Sequence, residues 1–564
     1  MTPLLAPQSA HTPLQGGKIP GWLVGLLVLA WLLPGLLGHD PWKPDEAYSM
    51  GLILHILESG DWVVPTLGGE PFMEKPPLYY LTAAGMARLL SPLLPLHDAA
   101  RLTSGLYMGI VLLCVGLTGR RLFGRGNGRV SLLLLMGCLG LLPHAHQMIT
   151  DTALLAGFAI ALYGLSLAQE RPVSGGALLG LGSGIGFMAK GLLAPLILGG
   201  VVVLLLAFPA WRSRRFAAAL GVALLLALPW LTLWPYTLYQ QHPELFDVWF
   251  WENNYGRFFG SSGLATRQEP GYYLKALLWF SGPAIPLAMV TLWQSWNRRG
   301  ASPTALPSSP LLLPLVMATV VLATLFASTA TRTLYILPLL LPVSLLATPA
   351  VAGSNTVPNP RWSRLLVVLF GVLALLIWVV WLLAITRHLA VDDWHIAWLS
   401  EAVILPESGE IPLQWPAFAA ACLATAAWAV GMTQAGRSPR HLLAGWTGGV
   451  ALLWLLSMTI WLPVIDYGKT YRAMVMGLRE SLPVQEGCMA SRELGEPQRA
   501  MLHYFGQIFT RRIESDPAAK GCALLLIQSP SAQVRNPPGD GQLIWQGRRP
   551  KDGKEWYFLY KMAR

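Results

Sequence analysis

Runs of about 20 residues rich in Leu, Val and Ala recur almost from end to end of this chain, and each is long enough to cross the hydrocarbon core of a bilayer. No soluble fold can bury so many. Apolar side chains make up 54% of the 564 residues and charged ones only 12%, about half the charge density of soluble domains. The chain therefore reads as a mostly α, polytopic integral membrane protein. Its formal charge of +11 does not argue for a nucleic-acid partner, because placement matters more than the sum.

Thirteen spans are expected, centred in 20–38, 98–118, 130–147, 151–168, 175–189, 191–208, 216–236, 275–295, 311–328, 334–350, 365–386, 414–432 and 442–463. Span 191–208 follows its predecessor so closely that the two also read as one re-entrant pair. The first span has no small-residue cleavage signature and is expected to stay as a transmembrane helix. Basic residues set the orientation. With the N-terminus and Lys18 inside, one set of short loops holds Arg120, Arg121, Arg125, Arg129, Arg171, Arg212, Arg214 and Arg215. The same set continues with Arg298, Arg299, Arg361, Arg364, Arg437 and Arg440, and Glu170 is its one acidic residue. Loops rich in Lys and Arg stay cytoplasmic, so the remaining loops are expected outside.

After a membrane part over 1–463, residues 464–564 change character. Helix-like stretches (471–481, 496–505) alternate with strand-like ones (522–527, 542–546, 556–560), and 528–541 reads as an exposed loop. This predicts a small α/β domain on the outer side. Cys114, Cys138 and Cys422 fall in spans as small apolar residues. Cys488 and Cys522 both fall in the outer domain, where a disulfide is permitted and two buried thiols are the alternative. No GxGxxG, Walker or GxSxG motif occurs, nor a Cys/His cluster with metal spacing. A nucleotide cofactor is therefore not expected.

The first outer loop, 39–97, is too patterned for a linker. Pro44-Asp45 opens a helix of about 14 residues that Gly60 ends as a C-cap would. Pro77 then suits the first turn of a second amphipathic helix, 77–91, and two such helices are expected to lie flat in the interface. Asp45 reads either as an N-cap or as a catalytic carboxylate. Glu74-Lys75 reads as an exposed pair or, beside a helix N-terminus, as a phosphate site. Other outer loops bring His144, His146, Thr150 and Asp151, then Lys190-Gly191, then Glu252, Asn253, Asn254 and Arg257, and lastly Arg332 and Tyr335. Any one of these suits an interfacial anchor. Five loops with the same inventory on one side point instead to a site.

Asp45-Glu46, the EKPPLYYL run at 74–81, GFMAKG at 186–191, ENNYGRF at 252–258 and YILP at 335–338 occur in the same order in a family of membrane glycosyltransferases. The chain resembles these C-type-fold (GT-C), polyprenyl-phosphate-dependent enzymes of the protein O-mannosyltransferase and aminoarabinose lipid A transferase kind. The resemblance implies an undecaprenyl-phosphate donor carrying one sugar, inversion at the anomeric carbon, and an active site on the periplasmic face of a bacterial inner membrane. It implies catalysis by Asp45, with Glu46 beside it, and donor-phosphate binding by Lys75, Arg257 and Lys190. Tyr48, Asp151, Asn253, Arg332 and Tyr335 are expected to bind substrate, and Glu74 to help hold a divalent metal ion. Three departures stand out: Tyr48-Ser49 where relatives often have Arg-Tyr, Phe72-Met73 before Glu74, and Asn253 where some members have a metal-binding His.

The leading expectation is transfer of 4-amino-4-deoxy-L-arabinose from undecaprenyl phosphate to lipid A. A second is transfer of another sugar to O-antigen, another envelope glycan or protein hydroxyls. A third is a lipid-linked substrate transporter or flippase, but transporters place their charges near the midplane, whereas these gather at one surface. The basic and aromatic residues of the outer domain (Arg511, Arg512, Trp545, Arg548, Arg549, Trp556, Tyr557) suit either a solvated face or an anionic acceptor.

Overall fold

The structure is a computed structural model, described here over residues 19–260, 271–297, 309–329, 331–353, 359–386, 411–434, 438–483, 487–534, 538–550 and 552–563. Lys18, Arg298, Arg299 and Arg437, which helped set the expected orientation, lie outside the described residues. Helix α1 (Gly21–Leu32) is followed by α2 (Asp45–Ser59), a ribbon of β1 (Thr66–Leu67) and β2 (Glu70–Pro71), and α3 (Leu78–Leu90). Next come α4 (Leu96–Phe123), α5 (Asn127–Met136), α6 (Leu141–His144), α7 (Thr150–Leu167), α8 (Pro172–Lys190), α9 (Leu193–Leu206) and α10 (Arg214–Gln241). A short α11 (Pro243–Asp247) runs into a π-helical turn, Val248–Gly256, and α12 (Arg257–Phe259). The membrane part continues through α13 (Tyr272–Phe280), α14 (Ala284–Asn297), α15 (Leu312–Ala327), α16 (Leu337–Ala352), α17 (Pro360–Ile385), α18 (Trp415–Gln434), α19 (Pro439–Ser457) and α20 (Leu462–Lys469).

Among the described residues, seven helices are long and apolar enough to cross a membrane, or up to nine spans if the bent pairs α13–α14 and α19–α20 each count as one. Helices α1, α5, α9 and α15 are apolar but only 10–17 residues long. At 1.5 Å per residue they reach about 15–25 Å, short of the roughly 30 Å core. An apolar helix stands at each of the thirteen expected positions, but three expected continuous spans are broken. The span over 275–295 bends by 98° between α13 and α14, where Gly282 has φ +52° and Pro283 cannot donate into a continuing helix. That over 442–463 bends by 65° after Ser457. The span over 130–147 stops at Met136 and resumes only as the single turn of α6.

Small residues set the closest helix pair. A Cβ added at Gly157 of α7 would lie 2.6 Å from the carbonyl of Gly182 in α8, and one at Gly164 would lie 2.7 Å from that of Gly175. Without side chains there the two backbones touch, as apolar surroundings favour for helix pairs. This contact fixes the start of α7 beside the end of α8.

The C-terminal part is the expected small α/β domain, with two strands, Met489–Arg492 and Thr510–Arg512, beyond those its pattern predicts. Helices α21 (Arg472–Glu480) and α22 (Glu496–Gly506) accompany strands β3 (Met489–Arg492), β4 (Thr510–Arg512), β5 (Leu524–Ser529), β6 (Gly541–Arg548) and β7 (Trp556–Met562). Their order is β4-β3-β5-β7-β6, parallel across the first three and antiparallel across β5, β7 and β6. Val475, Leu478, Met501, Leu526, Tyr557 and Leu559 are buried in its core. Cys488 and Cys522, just ahead of neighbouring strands β3 and β5, form a disulfide.

This domain sits on the loop over 39–97. Glu70 accepts from Arg499 (3.1 Å), Arg512 (2.9 Å) and Ser515 (2.7 Å), His97 and Tyr504 share a hydrogen bond of 2.8 Å, and Asp40 pairs with Arg472 and Lys43 with Glu555. This docking covers α2, one of the two helices expected at the interface. Nine of its fifteen residues are buried, because α22 covers it so closely that a Cβ at Gly51 would lie 2.7 Å from that of Ala500.

Candidate active site

Asp45 lies in the first turn of α2 rather than at its cap, which is Pro44, and no side chain caps this end. The carboxylate is thereby left to other partners. Tyr48, one turn on, donates its hydroxyl hydrogen to Asp45 Oδ1 at 2.8 Å, and Lys75 Nζ donates to the Tyr48 hydroxyl oxygen at 2.8 Å. A carboxylate, a phenol and an ammonium thus form a chain across the mouth of the loop.

Glu46 points the other way. Successive helical residues are about 100° apart around the axis, so the adjacent carboxylate faces the protein interior. Its Oε1 accepts from Arg101 Nε (2.9 Å) and the Met148 backbone N–H (3.1 Å), and Oε2 accepts from that of Trp42 (3.1 Å). Burial alone would push its pKa up, but the charge of Arg101 holds it below the ordinary glutamate value. Glu46 does not line the cavity described below. It ties α2 to α4, so its expected place beside Asp45 in catalysis is corrected to a positioning one.

The close approach of α7 and α8 brings Asp151, in the first turn of one, to Lys190, the last residue of the other, with Nζ 2.6 Å from Oδ1. Lys190 Nζ also lies 4.8 Å from the centre of the Tyr335 ring. Gly191 has φ +69°, and a Cβ there would stand 2.1 Å from Asn254 Oδ1. That oxygen accepts the Leu192 backbone N–H (3.2 Å), while Asn254 Nδ2 donates to the Trp249 carbonyl (2.8 Å). Asn254 therefore pins the Lys190–Leu192 turn to the π-helical turn. Asn253 donates to the Val248 carbonyl at 3.3 Å. Arg257, which opens α12, donates from Nη2 to Glu74 Oε1 at 3.2 Å.

These elements enclose one cavity of about 210 Å³. Asp45, Tyr48, Glu74, Lys75, Asp151, Lys190, Asn253, Arg257, Arg332 and Tyr335 all line it, whereas Glu46, His144, His146, Thr150 and Glu252 do not. Four cations face three carboxylates. Burial lowers the pKa of Lys75, against the charge of Glu74, and Lys190 adds to the lowering. Burial would raise that of Glu74, but Lys75 and then Arg257 hold it down. Tyr48 is pushed well above its ordinary value by burial and by the charge of Asp45. The remaining wall is apolar and includes Leu193, Leu196, Ile197, Phe258, Val321 and Leu325. A charged end and a greasy flank suit an amphiphile with an anionic head.

The residues do not fit a divalent metal. Among the described residues no three His, Cys, Asp or Glu converge to hold one, and Glu74 is engaged by Arg257 with Lys75 and Arg332 nearby. His146 is likewise structural, its Nδ1 2.7 Å from the Leu142 carbonyl and its Nε2 2.9 Å from that of Trp31, one of the two nitrogens donating. His144 reaches Gln147 at 3.3 Å. One important residue was not picked out from the sequence: Arg101, whose signal was an arginine three residues after Asp98 at the start of a span.

Residues 74–234 match the family described as dolichyl-phosphate-mannose-protein mannosyltransferase. The chain is 32% identical over 373 residues to undecaprenyl phosphate-alpha-4-amino-4-deoxy-L-arabinose arabinosyl transferase 2 of Pseudomonas fluorescens, covering 63% of this chain and 64% of that protein. It is 32% identical over 357 residues to the corresponding transferase of Pseudomonas savastanoi, covering 60% and 62%. The alignments thus span a little under two thirds of these relatives. The crystal structure of ArnT from Cupriavidus metallidurans bound to undecaprenyl phosphate matches with a TM-score of 0.69 at 16% identity, over 95% of this chain and 97% of that one. The chain is therefore a membrane protein with the C-type glycosyltransferase fold of ArnT, similar in sequence to the aminoarabinose transferases.

Proposed function

We propose that the protein is an inverting glycosyltransferase that moves 4-amino-4-deoxy-L-arabinose from undecaprenyl phosphate to lipid A on the periplasmic face of a bacterial inner membrane. The observation that carries this reading is the cavity, where Lys75, Lys190, Arg257 and Arg332 meet Asp45 beside an apolar wall. One more cation than carboxylates suits the single charge of a phosphodiester donor. The isoprenoid lies along Leu193, Leu196, Ile197, Val321 and Leu325. The phosphate sits among the cations, with Arg257 offering paired donors. Similarity to the undecaprenyl-phosphate aminoarabinose transferases names the sugar.

The chemistry follows from these groups. The bond between the anomeric carbon and the donor phosphate oxygen breaks, and the phosphate leaves as an anion that fixed cations stabilise as charge develops. It needs no general acid. The acceptor oxygen attacks from the opposite face, which inverts the anomeric centre. A lipid A phosphate is already ionised, so Asp45 orients it or the sugar. For a hydroxyl acceptor Asp45 would take the proton. Glu74 and Asp151 hold Arg257 and Lys190 in place before the donor arrives, so no step is assigned to a metal.

The test is mass spectrometry of lipid A from Gram-negative cells that make the aminoarabinose donor but lack their own transferase. Expression of this protein is expected to add an aminopentose mass increment. Well-expressed protein without that increment would overturn the assigned sugar and acceptor.

A further inference from the structure

The end of α4, the turn at Gly124–Gly126 and the start of α5 enclose a second cavity. It lies at the far end of α4 from Arg101, away from the site just described. Its wall is apolar, with Leu112, Leu117 and Leu132 among its residues, and Leu113 is 60% exposed on the outside of the bundle. Its rim carries Arg120, Arg125, Arg129 and Arg440, and no carboxylate lines it.

The arginines are short of counter-charge. Arg129 donates to the Ile19 carbonyl (2.7 Å) and Arg440 to the Asn127 side-chain oxygen (3.1 Å), both neutral acceptors. Arg120 and Arg125 make no ion pair among the described residues. Glu170, the one acid in the loops at this end, is 2.7 Å from the neighbouring Arg121. The segments 1–18, 298–308, 354–358 and 435–437 contain no Asp or Glu, so they cannot supply the missing charge. Four guanidinium groups around one cavity repel one another, and an anion among them relieves that repulsion; no carboxylate lining the cavity supplies it. The exposed leucine wall indicates its form, since a bilayer offers phosphate attached to acyl chains at this depth.

We propose that this cavity binds an anionic phospholipid, its phosphate held by Arg120 and Arg125 with Arg129 and Arg440 alongside, and one acyl chain along Leu113, Leu117 and Leu132. The lipid joins the loose glycine turn to α19, which carries Arg440, and so fastens the end of α4 opposite the active-site cavity. The proposal stands on this cavity alone and is independent of the sugar-transfer reading.

The full-length protein would be titrated in detergent with short-chain phosphatidylglycerol, phosphatidylethanolamine or inorganic phosphate and read by native mass spectrometry. Phosphatidylglycerol is expected to bind about tenfold more tightly than phosphatidylethanolamine. R120Q/R125Q is expected to weaken it about fivefold or more, whereas R214Q/R215Q, at the same end but outside the cavity, should change it less than about twofold. Equal binding by R120Q/R125Q and wild type would overturn the proposal, as would an equal loss in R214Q/R215Q, which would indicate general surface charge. Displacement of the lipid by millimolar inorganic phosphate would also overturn it, in favour of a free-anion site. If the double variant does not fold, R125Q in the exposed turn should still weaken binding about threefold, and unchanged binding there would contradict the assignment.

Discussion

The active-site cavity and the arginine-rimmed cavity treat their cations in opposite ways. In the active-site cavity Lys190 is held by Asp151 and Arg257 by Glu74, while Lys75 reaches Asp45 through Tyr48. At the other end of α4, arginines rim a cavity with no carboxylate in its lining. A paired cation is already in place when its ligand arrives and does not reorganise as charge develops, which suits a transition state. An unpaired one needs its ligand simply to be stable. The first arrangement suits turnover and the second residence.

The largest break in that comparison is expected from Arg257→Gln. Removing one fixed cation from the leaving phosphate should lower kcat by about 10²–10³-fold, measured with purified protein and synthetic donor. A Glu74→Gln variant keeps the cation but loosens it, with a loss of roughly tenfold. The Gly191→Ala variant tests the turn behind Lys190. Alanine in this backbone conformation (φ +69°, ψ −142°), with its Cβ against Asn254, should cost about 1–3 kcal/mol, read as a lower melting temperature together with reduced transfer. The pH dependence sharpens the picture at Lys75. Burial, with help from Lys190, lowers its pKa, so it loses its proton as pH rises sooner than an exposed lysine, whose value is about 10.4. Donor affinity should therefore fall on the alkaline side below that value, and Lys75→Arg should move the fall upward. The smallest effect belongs to R120Q/R125Q, expected to leave transfer per molecule within about twofold of wild type in detergent.

Much of this was legible in the sequence because it is local. Pro44 and Gly60 bracket α2, and Gly60 indeed takes the left-handed conformation at φ +72°. The charged residues of five loops could be assigned to one side because apolar runs separate them. The fates of Asp45 and Glu46 were not legible. Two adjacent carboxylates look alike in a sequence, and which one faces the cavity depends on where Arg101 of α4 packs. Strands β3 and β4 escaped for another reason. They have four and three residues, too few to establish an alternating pattern, and their pairing partners are far along the chain. The breaks at Gly282 and after Ser457 were hidden because both halves of each bent pair are apolar.

The central claim is that Asp45 acts on the sugar and acceptor while the cations hold the donor. The most direct measurement compares wild type with Asp45→Asn in purified form, determining undecaprenyl-phosphate affinity and transfer rate on the same sample. The account predicts affinity within about threefold of wild type and a transfer rate lower by about two orders of magnitude or more. Full transfer by a folded Asp45→Asn variant would contradict it.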